Sequence, residues 1–113
     1  MNIEDYSKQA LTTLTNHHQY GEVSAELMSQ VLGLVGESGE IAEKFKKILR
    51  DKSGVVSDED KQELAKELGD ILWYVNSVAH LLGVSLDDVA AANLAKLQSR
   101  KDRNVLGGSG DNR

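Results

Sequence analysis

Two long stretches of helical periodicity on either side of one short turn constrain this chain more than any other feature. Before the turn, Leu27, Val31, Leu34, Ile41, Phe45, Ile48 and Leu49 fall on one stripe at about 100° per residue. After it, Leu64, Leu68, Ile71, Leu72, Val75, Ala79 and Leu82 do the same. The turn is Asp51-Lys52-Ser53-Gly54-Val55-Val56-Ser57. Helices joined so closely pack antiparallel, so a helical hairpin is the expected nucleus. Ser24 is an N-cap candidate for the first helix of the pair, which runs to about Arg50. Ser57 caps the second, with Asp58, Glu59 and Asp60 placed where negative charge suits the helix dipole, and Gly83 ends it.

Two further helices flank the hairpin. Ile3, Tyr6, Ala10, Leu11 and Leu14 predict a short amphipathic helix within residues 3–14. Ser85 and Asp88 resemble a variant capping box opening a helix from about Leu86 to Arg103. Its inward side would use Val89, Leu94 and Leu97, while Asn93, Lys96 and Arg100 recur on another face. The sequence has no Pro and no Cys among its 113 residues and is 40% hydrophobic, which fits one all-α domain with one core. The expected fold is a four-helix bundle over residues 1–106, followed by a flexible Gly-rich tail at 107–113. In a monomer the side of the third helix bearing Trp73, His80 and Leu81 would be poorly covered. Completion by a second copy is therefore expected.

Composition also narrows the function. Without Cys there is no disulfide and no thiolate metal site, and no apolar run approaches the length of a membrane span. No signal peptide is visible, so the cytoplasm is the expected compartment and no membrane partner is expected. The net charge of −5 argues against a nucleic acid polymer as partner. It does not argue against a single nucleotide, because metal ions can stand between acidic side chains and phosphates.

The acids of the hairpin are where such ions would sit. Glu37 and Glu40 are three apart in one helix, and Glu67 and Asp70 three apart in the other, so each pair projects from one side of its helix. Measured from the apolar stripe, the first pair lies at about 90° and 150° and the second at about 75° and 135°, all with the same hand. The approximate two-fold axis of a hairpin brings such shoulders to one shared edge. All four acids also lie about 15–20 Å from the turn at 1.5 Å per residue. Four gathered carboxylates repel unless some protonate or a cation neutralises them. With oxygen ligands only, a hard cation is expected, Mg²⁺ first and Mn²⁺ as a substitute. Mg²⁺ commonly completes its shell with substrate phosphates, which points to a nucleotide. The competing reading is a solvated acidic surface, salt-bridged to Lys44, Lys47 or Lys66.

Other residues admit two readings from the sequence. Gly33, Gly36 and Gly39 each weaken a helix by about 1 kcal/mol against Ala, which close approach of a helix or ligand would justify. A kink is the alternative. His17-His18 suits a metal or phosphate, or a plain polar connector. Trp73 suits a stacked base or a subunit interface, and Tyr74 divides the same way. His80 reads as a packing or surface residue.

Glu37-x-x-Glu40, a hairpin, then Glu67-x-x-Asp70 resembles the signature of the MazG-like, all-α nucleoside triphosphate pyrophosphohydrolases, over roughly residues 20–103. The resemblance implies Mg²⁺-dependent cleavage of a nucleoside triphosphate to the monophosphate and pyrophosphate, with a role in nucleotide-pool housecleaning. It implies a homodimer or homotetramer. Carried over, it makes Glu37, Glu40, Glu67 and Asp70 the metal ligands, with Glu37 also the candidate to orient the attacking water. Asn93, Lys96 and Arg100 resemble the residues that meet phosphates or sugar, and Tyr74, one turn after Asp70, joins the substrate-facing set. Gly36 stands where many relatives carry a second Glu, so the extra carboxylate given a base role in them is missing here. The ending Gly-Ser-Gly-Asp-Asn-Arg resembles the close of one MazG-like subgroup and implies a tail that folds over the nucleotide. The rival reading from another class is a non-catalytic helical interaction or regulatory module whose acidic edge binds a basic partner.

Overall fold

A computed structural model describes residues 1–14 and 21–113; the His17-His18 pair lies outside the described residues. The regular elements among the described residues are four helices, α1 (Ile3–Leu11), α2 (Ala25–Asp51), α3 (Asp58–Leu81) and α4 (Leu86–Asp102). Their starts follow from local hydrogen bonding. Ser24 Oγ accepts from the Leu27 amide at 3.0 Å and Ser85 Oγ from Asp88 at 3.0 Å. Ser57 and Asp60 close a full capping box, each side chain accepting from the other's backbone N–H. At Ser85 only the first half of the expected box is made. A box between Asn2 and Asp5 opens α1.

α2 and α3 form the hairpin, and their contacts step in opposite directions along the two helices. Lys52 pairs with Asp60 at 2.8 Å across the turn, Lys44 reaches Glu67 at 3.7 Å further up, and Tyr74 lies against Gly33 beyond that. The turn is made by Ser53 and Gly54, both with positive φ, 52° and 77°. A Cβ at Gly33 would overlap the ring of Tyr74, so here a glycine is required for the helices to meet. Close approach does not account for Gly36 and Gly39, which face open space. Nothing in the structure explains those two.

The expected four-helix bundle is not closed within one chain. α4 touches α3 but not α2, and α1 touches no other helix among the described residues. The helix axis turns by 103° between α3 and α4, through a bend carrying Gly83 at φ 76°. α4 therefore leaves the hairpin instead of lying along it. Val89, Leu94 and Leu97, expected to face inward, are exposed as a result. Among the described apolar residues only Ile48, Leu64 and Ala79 are buried, and Phe45, Leu49, Leu68, Leu72 and Leu82 of the predicted stripes remain exposed. No single helix is long and apolar enough to cross a membrane.

The C-terminal tail also departs from expectation. Its glycine content predicts flexibility, yet Arg113 turns back and donates to backbone carbonyls of residues 105–110, which holds the segment against the end of α4.

Candidate functional site

The antiparallel register places Glu37 of α2 beside Glu67 and Asp70 of α3. One carboxylate oxygen from each of the three lies within 4.8 Å of the other two. Glu37 and Glu67 are half-buried, and Asp70 is exposed. Like charges so close raise the cost of ionisation. A hydrogen bond with Glu67 is the largest influence on Glu37 and raises its pKa above the ordinary 4.5; desolvation and the charges of Asp70, Glu67 and Glu40 push the same way. The group therefore has a deficit of positive charge.

Glu40, the fourth acid of the two pairs, is exposed and stands outside this close group, although its charge still reaches Glu37. The expectation that lysines pair with surface acids is realised in part. Lys44 makes a long ion pair with Glu67, while Lys66 is taken by Glu63 at 3.0 Å and Lys47 by Glu43 at 3.9 Å. One lysine at 3.7 Å does not balance three carboxylates. The donor set is all oxygen, and its spread suits a hard divalent cation that Glu37, Glu67 and Asp70 would hold together.

Above the acids by one helical turn, Tyr74 rests on Gly33 and meets Trp73 edge-on, with ring centroids 5.1 Å apart. Trp73 is mostly exposed and lines a small depression with Glu26, Gln30, Ser77 and His80. The Oε1 of Gln30 is buried there without a hydrogen-bond partner among the described residues. Sequence reasoning passed over Gln30; its place on the face of α2 that also bears Glu37, seven residues on, was the available signal.

The structure does not bring α4 to this edge. Among the described residues no hydrogen bond or ion pair joins Asn93, Lys96 or Arg100 to the acids. Asn93 and Lys96 line a shallow depression with Val89 and Ala92. Lys96 and Arg100 instead share the carboxylate of Asp111, at 2.9 and 3.1 Å. Both cations hold that carboxyl below its ordinary pKa, Lys96 by the larger amount. Asp111 is the residue that composition concealed, inside a stretch that reads as flexible.

The MazG nucleotide pyrophosphohydrolase domain matches residues 25–105, which spans both members of the hairpin and α4. The chain belongs to the MazG family. It is 59% identical over 91 residues to the Gene 37 protein of Mycobacterium phage L5, covering 80% of each chain. It is 38% identical over 72 residues to the uncharacterised protein YvdC of Bacillus subtilis strain 168, covering 59% of this chain and 68% of that one. No solved structure matches it. In this MazG protein the family's match includes all four acids of the edge and the α4 cations, and it stops at Val105, before the tail that binds them.

Proposed function

We propose that this MazG protein is a Mg²⁺-dependent nucleoside triphosphate pyrophosphohydrolase that removes surplus or altered nucleotides from the pool. The observation that carries the proposal is the close grouping of Glu37, Glu67 and Asp70 in a chain of this family. Glu40, on the rim of the group, is the fourth ligand, with Mn²⁺ as the substitute ion. Glu37, Glu40, Glu67 and Asp70 would hold the Mg²⁺, which would supply neutralisation of phosphate charge and a lowered pKa for the attacking water. Water adds to phosphorus of the α–β anhydride, the bridging P–O bond breaks, and a monophosphate and pyrophosphate leave.

Glu37 is the candidate to orient that water, because its carboxylate lies within 4.8 Å of those of both Glu67 and Asp70 and is less acidic than an ordinary glutamate. Tyr74 and the Asn93, Lys96 and Arg100 side chains contact substrate in this reading. A homodimer or homotetramer covers the exposed Leu68, Leu72 and Trp73 of α3 and brings α4 cations toward an acidic edge that one chain leaves without them. The test is product analysis with canonical, deaminated and oxidised nucleotides, with and without Mg²⁺. Monophosphate and pyrophosphate in equal amounts, only with metal, are the expected result. Release of single phosphate, or no turnover of any nucleotide, overturns the proposal.

A further inference from the structure

Below the acids, on the side of the Asp51–Ser57 turn, α2 and α3 flank a cleft of about 260 Å³ whose lining includes three cations, Lys44, Lys47 and Lys52, and three acids, Asp51, Asp60 and Glu63. The numbers match, but the pairing does not. Asp60 is held within the cleft by Lys52 at 2.8 Å, while Asp51 and Glu63 are met by cations outside its lining, Arg50 at 2.8 Å and Lys66 at 3.0 Å. Each acid is thus provided for, and two lysines are left over. Among the described residues Lys47 pairs only with Glu43, at 3.9 Å, a carboxylate that Lys46 shares at 3.8 Å. Lys44 pairs only with Glu67, at 3.7 Å. Pairs of such length at a surface contribute little, so both ammonium groups can turn to a better acceptor at small cost.

Lys44 joins the cleft to the acid group, since it lines the one and reaches a member of the other. Lys47 follows it one turn later on the same face of α2. Helical side chains lean toward the N-terminus, and in α2 that is the direction of Glu37. The other side of the acids is different. Its depression, of about 160 Å³, is lined by Gln30, Trp73, Ser77 and His80 among others, with neither Lys nor Arg. Indeed α2 before Glu37 and α3 after Asp70 contain no Lys or Arg at all. Along the hairpin, positive charge flanks the acids on the turn side only.

We propose that Lys44 and Lys47 receive the departing pyrophosphate, so that the substrate lies along the hairpin with its β- and γ-phosphates toward the turn and its nucleoside toward Trp73. Lys44 exchanges Glu67 for phosphate once that carboxylate has a metal to hold. This rests on reading the chain as a nucleoside triphosphate pyrophosphohydrolase, and it adds the direction of the substrate on the edge. As water bonds to phosphorus, the bridging P–O bond opens and its electron pair stays on the pyrophosphate oxygen. Two ammonium groups on that side offset the charge acquired there.

The test is calorimetric titration of the full chain in two stages, Mg²⁺ alone and then inorganic pyrophosphate at saturating Mg²⁺, neither of which needs turnover. Lys44→Gln is expected to move the two in opposite directions. Mg²⁺ should bind about threefold tighter or more, because a cation beside Glu67 is gone. Pyrophosphate should bind about tenfold weaker, the scale of one lost charge-assisted contact. A merely structural lysine would not split the two. Lys47→Gln should weaken pyrophosphate similarly and leave Mg²⁺ unchanged, and Lys47→Arg should restore most of the loss. A nucleoside monophosphate, which lacks the phosphates assigned to the turn side, should bind both Gln variants as it binds the wild type. Unchanged pyrophosphate affinity in either variant, equal weakening of monophosphate and pyrophosphate, or no pyrophosphate binding by the wild type overturns the inference. The expected binding pattern in a chain that turns over no nucleotide would instead remove the proposed reaction and leave the pyrophosphate site standing.

Discussion

The hairpin edge and the end of α4 gather charge in opposite ways. At the edge, Glu37, Glu67 and Asp70 crowd together, and among the described residues only Lys44, at 3.7 Å from Glu67, makes an ion pair with them. At the end of α4, Lys96 and Arg100 are met by Asp111 at ordinary hydrogen-bond distance. The first region keeps an excess of negative charge, whereas the second is neutralised largely from within. Crowded like charges are relieved by protonation or by a counter-charge, and a paired group needs neither.

Substitution at the edge gives the largest expected effect. Glu67→Gln or Asp70→Asn should cost about 10²-fold or more in turnover, as loss of transition-state charge stabilisation does. Glu40→Gln, outside the close group, should cost less than either; equal losses measured by pyrophosphate release would show that Glu40 moves inward on binding. Next in size is Gly33→Ala, where overpacking against Tyr74 should destabilise the chain by about 1–3 kcal/mol in denaturant unfolding. If the clash is the cause, adding Tyr74→Ala should be far less than additive.

The comparison itself predicts opposite signs without metal. Asp70→Asn should raise the melting temperature by relieving repulsion, and Asp111→Asn should lower it by stranding Arg100. Added Mg²⁺ should stabilise the wild type and not Asp70→Asn. Shifts of the same sign in both variants would break the contrast. The smallest effect concerns acid stability at the hairpin turn. Asp60, held by Lys52 and then Ser57, has its pKa lowered from 3.8 to about 2. A folded value below the unfolded one contributes stability above about pH 4 that is lost as pH falls toward 2. Asp60→Asn should therefore flatten this part of the pH–stability curve, read by thermal melts between those limits.

Much of the hairpin was legible because its cause is local. Stripe spacing, the short turn and the Ser57–Asp60 cap are written in neighbouring residues, and the meeting of Glu37 with Glu67 and Asp70 follows from the readable hand of each helix. What lay beyond reach depended on direction in space. Nothing in Gly83-Val84 states that α4 departs at 103°, so Leu94 and Leu97 seemed inward and are exposed. The tail looked loose because composition counts glycines and does not see that one terminal guanidinium meets four carbonyls. The pairing of Asp111 with two cations one turn apart was the available clue, and it only becomes meaningful once the chain is known to fold back.

The notch at Gly33 has a consequence for how this hairpin tolerates change. It accepts one aromatic ring, and on either helix that contact sits one turn beyond the acid edge, on the side away from the Asp51–Ser57 turn. Sliding the helices past each other would drive Tyr74 into a neighbouring side chain. Alignment is thus keyed at the end remote from the connection, so residues gained or lost between Lys52 and Ser57 alter the loop while leaving the carboxylates in step.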